Sequence, residues 1–222
     1  MAFGDEGAAR GLGGLEVTII ATGVANVASV RSAFERLGVR TRLSAAPQDA
    51  ARAPLVVLPG VGSFGAAMAA LRGAGLAGPL AARIGEGRPT LAICLGLQLL
   101  AASSEESPGA EGLGVIAGRV TRFRGGARVP HMGWNVVRPA EGGTRVEAGE
   151  AYYANSFKLD DGPEGWAVST SEYGERFVAA VERGDVLACQ FHPELSGEWG
   201  LRLIGRWLAT SARRAEGRVA AC

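Results

Sequence analysis

Thr90-Leu91-Ala92-Ile93-Cys94-Leu95-Gly96-Leu97-Gln98 is an apolar run that reaches a cysteine and continues, without loop residues, into a second apolar run. Residues 90–93 read as a buried strand, and the segment from Cys94 to Leu99 as the start of a helix. A residue caught between strand and helix in this way sits on a sharp, crowded turn. Small residues two before and two after it, Ala92 and Gly96, fit that crowding. Towards the N-terminus, residues 15–21 form an apolar, β-branched run that reads as a first buried strand. Residues 26–37 place Val27, Val30, Phe34 and Leu37 at helical spacing and stop at Gly38. Residues 55–58 form a second short strand closed by Pro59 and Gly60, and residues 63–72 and 76–86 carry helical patterns. Alternation of strand and helix predicts an α/β domain built on a parallel sheet.

The second half has a different texture. Residues 115–123, 134–138, 152–155, 166–170, 177–182 and 186–190 are short strand-like runs separated by turns containing Gly or Pro. They predict an antiparallel extension of the same sheet, closed by a helix over residues 196–213. With no internal repeat and no linker, the organisation reads as a flexible leader (1–14), one domain (15–213) and a short tail (214–222).

At 222 residues the chain can bury a core without disulfides or a structural metal. Its 23 basic residues against 22 acidic ones leave no basic excess of the kind that nucleic-acid binding needs. Cys94, Cys189 and Cys222 form no CxxC pair, and the histidines are His131 and His192 alone, so neither a zinc site nor a disulfide framework is indicated. The N-terminus lacks the apolar core of a secretory signal, and no apolar run is long enough to span a bilayer. The expectation is a cytoplasmic protein.

Cys94 at a helix N-terminus faces unpaired amides and a dipole that favour the reactive thiolate. The Leu95 amide points the same way and suits a developing oxyanion. Free cysteine is also among the most buried residue types, so this segment alone reads equally as core. Cys189, inside a strand, reads as core, and Cys222 as part of the tail. A thiolate needs a proton carrier, and His192 lies in Gln190-Phe191-His192-Pro193-Glu194, just past an apolar strand. Strand ends are where α/β folds display their site residues. Glu194 is near enough to orient one ring nitrogen and leave the other for the sulfur. Alone, this segment also reads as a surface turn. His131, in Pro130-His131-Met132-Gly133-Trp134-Asn135, competes but has no acidic neighbour. Pro59-Gly60-Val61-Gly62-Ser63-Phe64-Gly65 can turn the Val61 amide towards that of Leu95. It reads equally as an ordinary glycine-rich turn or a phosphate site, and without Gly-Lys-Ser/Thr it is no Walker loop.

Taken together, these segments resemble the class I (triad) glutamine amidotransferases, from Leu15 to about Leu208. Cys-Leu-Gly with Phe-His-Pro-Glu carries the superfamily resemblance. Val-Pro-His-Met-Gly-Trp-Asn (129–135) is similar to the glutaminase subunits of imidazole glycerol phosphate synthases. The resemblance implies a three-layer, flavodoxin-like α/β fold with a mostly parallel central sheet and an antiparallel extension. It implies a cofactor-free enzyme in which Cys94, His192 and Glu194 release ammonia from glutamine through a thioester. Val61 and Leu95 would form the oxyanion hole, and Gly62, Gln98, Asn155 and Ser156 would hold glutamine. The implied partner is a (β/α)₈ cyclase, joined as a heterodimer. It takes ammonia through a shielded channel to make imidazole glycerol phosphate and an aminoimidazole carboxamide ribotide. Asn26 and Trp134 would face that partner. Ala92, Asn155, Leu195 and Ala25 depart from the family's usual Gly, His, Lys and Gly. Other readings of the same residues are a different class I amidotransferase system, a cysteine hydrolase or redox protein on a related sheet, and a non-catalytic subunit.

Overall fold

The computed structural model describes residues 12, 14–21 and 27–219, with backbone alone for 213–219. In chain order the first half comprises β1 (Glu16–Ile20), α1 (Val27–Arg36), β2 (Arg40–Ser44), α2 (Pro47–Arg52), β3 (Val56–Leu58), α3 (Phe64–Gly73), α4 (Ala77–Gly85), β4 (Thr90–Ile93) and a single turn, α5 (Leu95–Gln98). The second half adds β5 (Ala101–Ser104), β6 (Ile116–Arg122), β7 (His131–Val137), β8 (Gly149–Asn155), β9 (Phe157–Leu159), β10 (Ala167–Glu172), β11 (Arg176–Arg183), β12 (Val186–Cys189), a 3₁₀ turn (Pro193–Leu195) and α6 (Gly197–Val219).

Alternate side chains of the central strands enter two separate cores, as the two-residue period of a strand requires. Val17, Ile19, Val57, Leu91, Ile93, Leu187 and Cys189 pack on one face with Phe34 of α1 and Leu203 and Trp207 of α6. Ile20, Val56, Leu58, Ala92, Val186 and Ala188 pack on the other with Phe64 and Met68 of α3 and Leu80 of α4. Helices therefore cover both faces, giving three layers. Leu12 is buried in the first of these cores.

Among the described residues the main sheet has seven strands in the order β10-β11-β12-β4-β3-β1-β2. From β12 to β2 every pairing is parallel, while β10 and β11 add an antiparallel edge. Counting only the parallel strands in chain order, the sequence across the sheet is 2-1-3-4-5, the flavodoxin-like order.

The antiparallel extension is smaller than the sequence suggests. Of the six runs in the second half, only those of β10 and β11 extend the sheet antiparallel, and β12 pairs parallel with β4. The run of β6 pairs with β5 and β9 in a separate three-stranded sheet, and β7 and β8 form a two-stranded ribbon. The ribbon explains itself: Met132, Trp134 and Val136 project from one side of β7 and remain exposed, while His131 and Val137 enter the core. The edge strand β2 and the short helix α2 went unanticipated because Arg40-Thr-Arg-Leu-Ser is charged and mostly exposed. No described helix is long and apolar enough to cross a membrane.

Arg83 of α4 is buried and donates to five acceptors: Thr90 Oγ1 and the carbonyls of Ala50, Ala53, Pro54 and Pro89. It ties α4 to the N-terminal ends of β3 and β4. Burial pulls its pKa down to about 9, with Arg88 adding to the shift, so the guanidinium still carries its proton at neutral pH. Arg83→Leu strands several buried carbonyls and is expected to cost about 3 kcal/mol, read as a lowered urea midpoint with an unchanged m-value.

Candidate active site

Three neighbouring strands, β12, β4 and β3, end on the same side of the sheet, and their C-terminal ends carry the candidate residues. The parallel pairing of β4 with β12 places Ile93 opposite Cys189. The next residues in each strand, Cys94 and Gln190, therefore emerge side by side, and the Cys94 amide donates to the Cys189 carbonyl at 2.7 Å. Beyond β3, the loop 59–63 runs against the turn after β4.

Cys94 adopts φ 53°, ψ −108° and is the one non-glycine residue with positive φ among those described. Such backbone strain marks a nucleophile elbow and persists only where packing holds it. The packing is visible in two glycines. A Cβ on Gly96 would lie 2.2 Å from the Leu58 carbonyl oxygen, and one on Gly60 would lie 2.8 Å from the Leu95 Cβ. No side chain fits between β3's exit loop and the elbow. The helix beyond is only one turn, so the favourable field at the sulfur comes from a few local amides rather than a long dipole. Neither the Leu95 nor the Val61 amide donates to another described residue.

His192 is buried, with Nδ1 2.8 Å from Glu194 Oε1. Its backbone amide donates to the Tyr152 carbonyl at 2.8 Å, which fixes the histidine against β8. Burial alone pulls the His192 pKa down, but the neighbouring Cys94 sulfur and the Glu194 carboxylate raise it to about 10. The carboxylate holds Nδ1, and the ring faces the cleft it shares with Cys94. Glu194 Oε2 is buried without a hydrogen-bond partner.

His131 is in a different environment. It stacks on Tyr173 with centroids 3.9 Å apart and on Tyr153 at 4.8 Å, with Phe123 and Phe177 edge-on. Burial pushes its pKa down to about 4, and no carboxylate orients it. It is a core residue rather than the proton carrier.

Cys94 and His192 line a cleft of about 360 Å³ together with Val61, Gly62, Leu95, Gln98, Glu106, Pro130, Asn155, Ser156, Glu194 and Leu195. The sequence-derived triad, oxyanion and glutamine-holding residues all reach this one cleft. A larger hollow of about 510 Å³, bordered by Arg119, Asp160, Asp161, Trp166 and Arg183, contains no cysteine or histidine. Gln98 Nε2 donates to the Phe157 carbonyl at 2.8 Å, and Asn155 Nδ2 to the same oxygen at 3.0 Å. The side-chain oxygen of Asn155, Oδ1, is buried without a partner among the described residues. Trp134 of β7 is 56% exposed and stands edge-on to Tyr152 at 6.1 Å. Asn26 and Ala25 lie outside the described residues, as does Cys222. Cys189 is fully buried, with its pKa pushed well up by burial.

The family model for glutamine amidotransferase class I matches residues 19–206. The chain belongs to the class I glutamine amidotransferases. Imidazole glycerol phosphate synthase subunit HisH of Methanothermobacter thermautotrophicus is 41% identical over 191 residues, covering 85% of this chain and 95% of that protein. The chloroplastic imidazole glycerol phosphate synthase hisHF of Arabidopsis thaliana is 42% identical over 86% of this chain, which spans only 34% of that relative. A crystal structure of a glutamine amidotransferase superposes with a TM-score of 0.71 over 88% of this chain and 98% of that one, at 23% identity, a likeness of fold.

Two residues of this amidotransferase site, Glu106 in the cleft lining and the buried Gln190 beside Cys94, were not singled out from sequence. Glu106 accepts from the Phe64 amide at 2.6 Å and so anchors the loop between β3 and α3. Nothing in the chain around Glu106 signals this, because its partner lies forty-two positions away. Gln190 stands within the quoted Gln-Phe-His-Pro-Glu segment, and strand periodicity places it two residues before His192 on the same face.

For His131 the folded chain resists protonation that the unfolded chain accepts near pH 6.5. Stability is full above pH 6.5 and is lost as pH falls towards 4, by up to about 3 kcal/mol. Denaturant titrations between pH 7 and 4 are expected to show this slope, and His131→Gln to flatten it.

Proposed function

We propose that this chain is the glutaminase subunit of an imidazole glycerol phosphate synthase, with Cys94 as nucleophile, His192 as proton carrier and Glu194 as the group that orients it. The observation that carries the reading is a buried histidine, hydrogen-bonded to Glu194 at 2.8 Å, that lines the same cleft as a cysteine held on a strained strand-to-helix turn. Support for the pathway comes from the two imidazole glycerol phosphate synthase relatives named above, at about 40% identity over most of the chain.

In this reading Cys94 Sγ attacks the carboxamide carbon of glutamine, and the oxyanion settles on the Leu95 and Val61 amides. A donor aimed at that oxygen in a dry site is worth about 3 kcal/mol of barrier. His192 passes its proton to the amide nitrogen, the C–N bond breaks, and ammonia leaves with a γ-glutamyl thioester on Cys94. Water then gives a proton to His192 as it attacks the thioester, and the C–S bond breaks to free glutamate. Gly62, Gln98, Asn155 and Ser156 hold the substrate, and the unpartnered Asn155 oxygen is an acceptor available to its amide or ammonium hydrogens.

The ammonia is used by a cyclase seated on the face where Met132 (65% exposed), Trp134 and Val136 (46%) stand in a row along β7. Apolar residues grouped this way on a surface strand mark an association site, with the tryptophan as its anchor. Leu195, 40% exposed in the cleft lining, stands where a lysine is usual, so no charge is offered to the partner there.

Co-purified with a candidate cyclase and supplied with that enzyme's ligand, the wild-type chain is expected to hydrolyse glutamine. Cys94→Ala is expected to abolish glutamine-dependent cyclisation while the complex still uses added ammonium. Glutamine hydrolysis activated by some other acceptor enzyme instead would assign the chain to a different amidotransferase system.

A further inference from the structure

We propose that Gln190 is a positioning residue that joins the Cys94 sulfur and the substrate-holding Gln98 amide in one hydrogen-bonded line, donating to the first and accepting from the second. This rests on the reading of Cys94 as the nucleophile. Gln190 Nε2 lies 3.6 Å from Cys94 Sγ, and Gln190 Oε1 accepts from Gln98 Nε2 at 3.1 Å. Gln190 is completely buried. An amide in that position is costly unless its polar atoms find partners, and a leucine of similar size would fill the space without that cost.

The geometry gives the amide two effects. At the sulfur, an N–H is held towards the atom on which negative charge develops. The titratable groups around that sulfur are His192, Glu194 and Glu106, which line the same cleft, and the buried Cys189. At Gln98, both Nε2 hydrogens are used, one by Gln190 Oε1 and one by the Phe157 carbonyl. The amide of Gln98 therefore cannot turn over without losing both bonds. Its Oε1 is the atom left for the cleft, so Gln98 meets glutamine as an acceptor. One residue thus sets the donor at the nucleophile and the polarity of the substrate contact. It can do so because β12 runs parallel to β4 and brings Gln190 level with Cys94.

The test uses the full chain and two electrophiles. Iodoacetamide reads the sulfur alone, and a glutamine-shaped chloroketone separates binding (KI) from reaction (kinact). Gln190→Met, which fills the space but has no N–H, is expected to slow iodoacetamide alkylation of Cys94 about tenfold at pH 7. It is also expected to raise KI for the chloroketone several-fold. Gln190→Asn, which withdraws the amide by one methylene, gives the same pair of effects and serves if the first variant does not fold. Val186→Ala, which loosens the same strand without touching the cleft, is expected to lower thermal stability and leave both readouts unchanged. Wild-type alkylation rates in a folded Gln190 variant, or equal slowing in Val186→Ala, overturn the proposal. A wild-type Cys94 that reacts no faster than an ordinary thiol instead rejects the nucleophile reading itself.

Discussion

Strand β12 enters the sheet beside β4, and their register places Cys189 against Ile93. From that pairing the Cys94 amide is fixed to the Cys189 carbonyl, Gln190 comes level with Cys94, and His192 arrives one step beyond on the same face. The strands belong to segments almost a hundred residues apart, so the site exists only when the long second half has folded and returned a fifth parallel strand. A one-residue slip in this register would reverse the faces of Gln190 and His192 and leave the sulfur facing Phe191. Both strands are buried on both sides, and their side chains are divided between two packed cores, which makes such a slip costly.

Close approach of backbone is the second constraint. Gly60 and Gly96 let the loop after β3 pass against the turn after β4 without an intervening side chain. Glu106 and Ser107 hold that loop from outside, through the amides of Phe64 and Gly65. The strained φ at Cys94 persists because these contacts leave the residue no other position. Electrostatics then act over short distances: the Cys94 sulfur and Glu194 push the His192 pKa up, against burial that opposes the charge. His131, equally buried but enclosed by aromatic rings, goes the other way. Two buried histidines in one chain are shifted in opposite directions by their surroundings.

Much of this was legible in the chain. The apolar runs of β1, β3 and β4 and the helical spacing of α1, α3 and α4 announce a parallel sheet with covering helices, whereas the run of β12 reads as antiparallel and pairs parallel with β4. The small residues around Cys94 announce the elbow. Less legible were β2, whose arginines suit an exposed edge, and β5 (Ala-Ala-Ser-Ser), whose small polar residues carry no strand signature. The partition of the second half into three sheets was invisible because strand periodicity gives a strand's faces but not its partners. Local sequence also could not choose between His131 and His192. Glu194 favoured the second, but the aromatic enclosure of the first is assembled from Phe123, Tyr153, Tyr173 and Phe177, contributed by different parts of the chain. Gln190 lay in plain view beside the histidine, yet its function depends on the neighbouring strand.

The central claim is that one sulfur carries the glutamyl group. It is tested most directly by mixing the assembled complex with radiolabelled glutamine, quenching in acid within the first turnovers and mapping the label. The account predicts hydroxylamine-sensitive label on the peptide containing Cys94, appearing no later than glutamate. Continuing release of glutamate with no label at Cys94, or with label at a different residue, would contradict it.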